Sequence, residues 1–270
     1  MASFNIGISG CAGRMGRMLV AEAAGTPGCR VVAGGEAKGH PELGRDLGEI
    51  AGIGTIGVAV SDDPAALFRV ADVVIDFSTP DAATVSARAA AAYRKPLLLG
   101  TTGLDAQQGD AVRAAAKIVP IVWPPNTSLG ITLLLAMAED AARRLGPEWD
   151  IEIVEMHHKH KIDAPSGTAL ALGAAAAAGR GVDLATNSIR GRDGITGGRR
   201  EAAIGFAALR GGDVAGDHTV IFAGAGERLE LTHRAASRQI FAKGAIKAAL
   251  WLLGPDRGPG LYGMKDVLGL

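Results

Sequence analysis

Fourteen consecutive residues, E-M-H-H-K-H-K-I-D-A-P-S-G-T from Glu155 to Thr168, concentrate three imidazoles, two ammonium groups, two hydroxyls and two carboxylates. Imidazoles are common metal ligands, but Lys159 and Lys161 would repel a cation, and no cysteine or paired carboxylate completes a coordination set. A solvated basic cluster is the blander reading, and periodicity alone does not dismiss it. The downstream residues point to proton transfer instead. Pro165 fixes the backbone, and Ser166-Gly167-Thr168 opens an Ala-rich helix with hydroxyls and unpaired N–H groups, which favours an anion. A proton-donating imidazole, an ammonium and a helix start within a dozen residues describe a pocket for a small carboxylate that must be protonated. A second constellation lies near the start, G-C-A-G-R-M-G with Gly10, Gly13 and Gly16. Such a turn lets backbone approach a pyrophosphate and aims the next helix at it. Glu36 follows Gly16 by 20 residues, near the spacing of an acid that binds a ribose 2′-hydroxyl. Cys11 sits at that helix start, where a thiol pKa can fall; a small side chain tolerated beside a cofactor is the simpler reading.

The elements that must position these residues are legible from hydrophobic rhythm. Apolar runs at Phe4 to Ser9, Arg30 to Glu36, Ala71 to Ser78, Lys95 to Thr102 and Val119 to Trp123 alternate with Ala-rich helical stretches, the pattern of βαβ units and a parallel sheet. In such a sheet ligands bind beyond the carboxyl ends of strands. That places DFSTP (Asp76 to Pro80, with Phe77) and GTTG (Gly100 to Gly103) at a nicotinamide site. From Asp150 the rhythm changes to strands 150–158, 201–210, 217–226 and 227–235, with one clear helix, TALALGAAAAAG. This predicts a second domain with a mixed or antiparallel sheet. A final helix from Ser237 to Leu253 resumes the earlier composition and is expected to return to the first domain. The expectation is thus an α/β chain: a Rossmann-like doubly wound parallel sheet formed by residues 1–128 and 239–270, and a mixed-sheet α+β substrate and oligomerisation domain over 129–238.

Composition excludes several other classes. Of 270 residues, 39 are glycine, about twice the usual ~7%, but without the three-residue period of collagen. Lys and Arg number 28 and Asp and Glu 28, so there is no global field to hold nucleic acid or an anionic membrane. Two cysteines, Cys11 and Cys29, make no disulfide framework. The first residues do not read as a signal peptide, and the most apolar stretches are too short to span a bilayer. A cytoplasmic protein is expected.

Taken together, the segments GCAGRMGR, DFSTP, GTTG, EMHHKHKIDAPSGTA, GFAALRGGDVAGDHTV and GERLELTHRAASR resemble the dihydrodipicolinate reductase family, in order and over essentially the whole chain. The resemblance implies a reductase of the diaminopimelate route to lysine. It would carry hydride from NADH or NADPH to a cyclic imine dicarboxylate, with loss of the 4-hydroxyl as water and protonation of the resulting enamine. It places the cofactor loop on Gly10, Cys11, Ala12, Gly13, Arg14 and Met15, and the ribose acid on Glu36. The nicotinamide side falls on Phe77, Gly100, Thr101, Thr102, Pro124, Pro125, Asn126 and Thr127, and a basic residue that closes over the cofactor on Arg238. It implies His157 as proton donor with Lys161 beside it, and His158, Ser166, Gly167 and Thr168 on the substrate; it implies a homotetramer and no metal. Two positions depart from the family pattern. Ala37, followed by Lys38, stands where an arginine is common, and Pro125-Asn126-Thr127-Ser128 replaces A-N-F-S. Both touch cofactor affinity and choice. The competing readings are a non-catalytic NAD(H)-binding sensor and a reductase of another cyclic imine.

Overall fold

The protein is described by a computed structural model covering residues 3–270, which divides into two compact units, one up to Leu129 together with Gln239–Leu270 and one of Gly130–Arg238. The first unit begins β1 (Phe4–Ser9), α1 (Arg14–Gly25), β2 (Cys29–Gly35), α2 (Leu47–Ala51), β3 (Val60–Ser61) and α3 (Pro64–Val70). It continues with β4 (Val73–Asp76), α4 (Pro80–Tyr93), β5 (Leu97–Leu99), α5 (Ala106–Ala116) and β6 (Pro120–Val122). The second unit contains α6 (Leu129–Leu145, from Gly130 onward), β7 (Asp150–His157), α7 (Gly167–Arg180), α8 (Leu184–Asn187) and β8 (Ser188–Ile189). Its last strands are β9 (Ile204–Arg210), β10 (Gly216–Gly224) and β11 (Glu227–Ala235); α9 (Gln239–Leu252), β12 (Gly260–Tyr262) and α10 (Met264–Leu268) then belong to the first unit.

The first sheet is parallel throughout, in the order β12-β6-β5-β4-β1-β2-β3. Its inner strands are short and apolar on both sides, since β4, β5 and β6 are buried at every residue. That is what a sheet covered on both faces requires. Ile6, Ile8, Val73, Ile75 and Leu98 pack with α1 and α9, whereas Val74, Leu97, Leu99 and Ile121 pack with α3, α4 and α5. The order in which strands are added reverses between β1 and β4, making the carboxyl ends of those two strands the topological switch point. Helix starts there are set by local chemistry: Thr79 caps α4 by accepting from Ala82 N, with Pro80 at the first helical position, and Asp105 forms a capping box with Gln108 on α5.

The second sheet has the order β11-β10-β7-β9-β8; β7, β8 and β9 run parallel while β10 and β11 run antiparallel to their neighbours. It is therefore mixed, as the change of rhythm predicts. One face, with Ile151, Ile153, Phe206, Val220 and Phe222, is covered by Leu134 and Ala138 of α6 and by Leu172 and Ala176 of α7. The opposite face presents Val154, Met156, Leu209 and Ile221, half-buried or exposed.

Three stretches carry elements that the sequence rhythm does not announce. Between residues 37 and 70 lie α2, β3 and α3, α8 and β8 follow α7, and β12 and α10 follow the last long helix. The first stretch is organised by Asp46, whose carboxylate accepts from the amides of Gly48, Glu49, Ile56, Gly57 and Val58. These bonds replace the apolar periodicity on which a sequence reading depends.

Candidate active site

The glycine loop joins β1 to α1 at the switch point. Gly10 adopts φ of 73°, and a Cβ there would stand 2.4 Å from the Phe77 carbonyl oxygen. Gly16 serves a different purpose, for a Cβ there would lie 2.0 Å from Gly10 O. One glycine lets the loop approach the end of β4, and the other lets α1 seat against the loop. Gly13 caps α1 without a side-chain bond, so the first helical amides receive no acceptor from their own cap. Beside the loop lies a cleft of about 480 Å³ bounded by Gly10, Gly13, Glu36, Lys38, Phe77 and Ser78 among others. Arg14 is exposed at the helix start and Met15 half-buried below it.

Glu36 follows the last residue of β2 and lines this cleft, but its carboxylate is already engaged. One oxygen accepts from Ala12 N at 2.8 Å and the other from Ala37 N at 3.4 Å. The acid therefore braces the loop. The Ala12 carbonyl is held from the other side by Arg17 Nε at 2.8 Å, a contact absent from the sequence reading. The Cys11 side chain is fully buried, and burial, reinforced by the Glu36 charge, pushes its thiol up to about 12. A helix start that lowers a thiol pKa is overridden here by desolvation, and the Cys11 thiol is sealed from the cleft.

The other cofactor candidates are placed by tethers. Buried Asp76 accepts from the hydroxyls of Ser78 at 2.7 Å, Ser86 at 2.6 Å and Thr101 at 2.7 Å, tying the ends of β4 and β5 to α4. Thr101 thus spends its hydroxyl on the scaffold, while Thr102 is exposed. Gly100 packs where a Cβ would stand 2.2 Å from the Phe77 ring. In the next loop Pro124 is buried and Pro125 exposed; Asn126 Oδ1 accepts from Ser128 N at 2.7 Å, and the Thr127 hydroxyl donates to Phe241 O at 2.9 Å. α9 presses on this loop so closely that a Cβ at Gly244 would lie 1.7 Å from Thr127 O. Arg238, exposed, ends the second unit.

In the second unit the strand alternation of β7 puts Ile151, Ile153, Glu155 and His157 on the covered face. The strand stops at His157, so His158 and His160 lie in the turn that follows and not on a shared strand face; His158 N donates to Val214 O at 2.8 Å. Glu155, with 1% of its surface exposed, accepts four bonds: His157 Nδ1 at 2.6 Å, both Arg210 terminal nitrogens at 2.8 and 2.9 Å, and Ser166 N at 3.1 Å. Burial alone would raise its carboxyl pKa, but the bonds from Arg210 and His157 outweigh it and hold the group below its ordinary value. His218 lies across from Glu155 on β10 and meets the His157 ring edge-on, with centroids 5.1 Å apart. Burial first, and the neighbouring His157 second, push His218 down to about 4, so it is neutral near pH 7. Its Nε2 lies 3.1 Å from the Ser166 hydroxyl, which caps α7 by accepting from Ala169 N.

Lys161 pairs with Asp163 at 2.8 Å, and Arg210 donates to the Asp163 carbonyl, so the guanidinium holds both Glu155 and the loop that carries the lysine. Gly167 is exposed and Thr168 half-buried at the start of α7. His157, Ser166 and the α7 start are thereby assembled around a carboxylate that the site reading from sequence omits. The strand spacing of Glu155 and His157 is a signal for it; Arg210 and His218 have none without the sheet register. Among the described residues no group of His, Cys, Asp and Glu is arranged to hold a metal ion.

A doubly wound parallel sheet with a glycine loop at its switch point, next in sequence to a mixed-sheet unit with a buried acid–imidazole pair, is the organisation of a dinucleotide-dependent oxidoreductase. The chain belongs to the dihydrodipicolinate reductase family: the family's N-terminal sequence model matches residues 4–127 and its C-terminal model residues 130–268. It is 54% identical over 264 residues to the 4-hydroxy-tetrahydrodipicolinate reductase 1 of Mesorhizobium japonicum, covering 97% of this chain and 96% of that one. It is equally similar to the 4-hydroxy-tetrahydrodipicolinate reductase of Brucella abortus, at 54% over 97% and 98% of the two chains. A solved structure described as dipicolinate-bound dihydrodipicolinate reductase from Paenisporosarcina sp. TG-14 shares the fold, with a TM-score of 0.79, 24% identity and coverage of 98% and 99%.

Proposed function

We propose that this chain reduces 4-hydroxy-tetrahydrodipicolinate, by way of dihydrodipicolinate, to tetrahydrodipicolinate in the diaminopimelate route to lysine. The observation that carries the reading is the 54% identity over nearly the full length of reductases bearing that name, joined to a proton-donor constellation intact in this chain. NADH or NADPH is the hydride donor, and when bound it supplies hydride to C4 of the substrate. The first unit holds it through the glycine loop Gly10–Met15, Glu36, and the loops carrying Phe77, Gly100–Thr102 and Pro124–Thr127. The family resemblance adds Arg238, the last residue of the second unit, as a basic contact to the cofactor. The cleft fits a dinucleotide because Gly10 and Gly13 line it without side chains, next to helix amides that receive no side-chain cap. In the second unit, Gly167 and Thr168 receive a substrate carboxylate, Ser166 holds their helix start, and His158 and Lys161 supply compensating charge. His157 donates the proton to the enamine that hydride addition leaves.

A sensor that merely binds dinucleotide would need neither the buried Glu155–His157 pair nor the hydroxyl-capped start of α7. The apolar outer face of the mixed sheet, with Val154, Met156, Leu209 and Ile221, supports assembly into a homotetramer through that face. Cys11 and Cys29 are free thiols, which fits a reduced cytoplasmic setting, and among the described residues no helix is long and apolar enough to cross a membrane.

The test is NADH oxidation in a coupled assay that generates substrate from pyruvate and aspartate semialdehyde. Turnover is expected, with competitive inhibition by pyridine-2,6-dicarboxylate against substrate and not against NADH. His157→Gln should lower kcat by about 10²–10⁴-fold while sparing NADH binding. No turnover of this substrate, with NADH still bound, would favour the sensor.

A further inference from the structure

We infer that Glu155 is the positioning residue of the reaction: clamped by Arg210, it fixes the His157 ring with Nδ1 protonated and makes Nε2 the atom that gives up the proton. The inference rests on the proposed role of His157 and goes beyond it by assigning the tautomer, the carboxylate that sets it and the clamp that sets the carboxylate.

Geometry carries the argument. A carboxylate that accepts two guanidinium bonds and a backbone amide has no proton of its own to offer, so the 2.6 Å contact with His157 Nδ1 must be donated by the ring. Nδ1 then keeps its hydrogen in both the neutral and the charged ring, which leaves Nε2 as the nitrogen that can hand a proton on. Nε2 faces Gly216, where a Cβ would crowd it at 3.0 Å, so the missing side chain is what keeps that side of the ring open. The other carboxylate oxygen, Oε1, accepts from Ser166 N, so the two oxygens together tie the start of α7 to the ring. Arg210, through the Asp163 carbonyl, locks the Lys161 loop to both. One buried charge pair therefore sets the distances among proton donor, ammonium and helix start. On the surrounding elements β9 carries Arg210, β10 carries His218 and, on its other face, Asp217, and the loop after β7 carries His158, Lys159, His160 and the Lys161–Asp163 pair. Among the described residues none of these bonds the ring, and Glu155 does.

The experiment reads the ring directly. In the ¹⁵N-labelled wild-type protein, the His157 ring resonances, identified by their loss in His157→Gln, should report the Nδ1–H tautomer above the ring's titration. A neutral Nε2–H ring would overturn the inference. In Glu155→Gln that tautomer preference should disappear, kcat should fall by about 10²-fold with KM within a few-fold, and the alkaline limb of the kcat profile should move to lower pH. The sign follows because an ionised neighbour favours the imidazolium, and a general acid works only while protonated. Glu155→Asp should restore the limb in part, since the charge remains. A Glu155→Gln enzyme with a lowered melting temperature but unchanged tautomer and pH profile would make the carboxylate merely structural. If Glu155→Gln does not fold, the wild-type tautomer and Glu155→Asp decide. Full kcat in His157→Gln would instead remove the proton-donor reading, whatever the tautomer proves to be.

Discussion

The two units build their sites from opposite materials. In the first, the glycine loop is shaped by atoms that are missing, since a Cβ at Gly10 or Gly16 would collide with backbone, and the helix that follows receives no side-chain cap. In the second, the site is shaped around one buried charge, Glu155, with half-buried Arg210, His157 and a neutral His218 gathered on it from three strands. The lesson is that the first site breaks when atoms are added and the second when charge is removed. The first tolerates loss of polar contacts at its rim, where arginines such as Arg17 are half-exposed and screened by water. The second does not, because a buried carboxylate stripped of its partner keeps the whole cost of desolvation.

The sharpest way to break this contrast is to remove one arginine from each unit. Arg210→Gln leaves Glu155 buried without its fork and should cost about 3–5 kcal/mol of stability. Arg17→Gln should cost under ~1 kcal/mol. Denaturant titrations of both variants check this, and Glu155→Gln added to Arg210→Gln should recover part of the loss. Equal costs would erase the distinction between the units.

A pH series gives the next largest effect. With His218 at about 4 in the fold and 6.5 when unfolded, the unfolded chain binds a proton that the folded chain refuses between those values. Stability is then full above pH 6.5 and falls as pH drops toward 4, by at most roughly 3 kcal/mol. Glu155, held below its usual 4.5, adds its own loss only at the acid end. His218→Gln should flatten the dependence of Tm on pH between 6.5 and 4, and an unchanged slope would place the acid sensitivity elsewhere.

In the first unit, adding atoms is the test. Gly10→Ala combines a left-handed φ of 73° with the collision against Phe77 O and should cost about 1–3 kcal/mol and weaken NADH binding. Gly103→Ala shares the left-handed φ but faces open space, so it isolates the cost of backbone conformation. Similar losses in the two variants would mean that the close approach at Gly10 contributes nothing.

The smallest effect concerns cofactor choice. Glu36 repels a 2′-phosphate and Ala37 offers no guanidinium to hold one, so kcat/KM with NADH should at least equal that with NADPH, with Lys38 blurring the difference at low salt. A strong preference for NADPH would show that the carboxylate, already bonded to Ala12 N, acts only as a brace for the loop.

The sequence by itself determined the parallel sheet, the mixed sheet and the position of the glycine loop, because each depends on periodicity or spacing within a few dozen residues. Gly10, Gly13 and Gly16 declare a turn and a close approach wherever they are folded, and the apolar runs at β1, β4 and β5 declare burial on both faces. Tertiary structure decided which side chains do the work. That Thr101 spends its hydroxyl on Asp76, that Cys11 is sealed from the cleft, and that Arg210 and His218 converge on Glu155 all follow from pairings 25 to 63 residues apart in the chain. No local pattern encodes such pairings, because their energy exists only once the strands are in register and water has been excluded from between them.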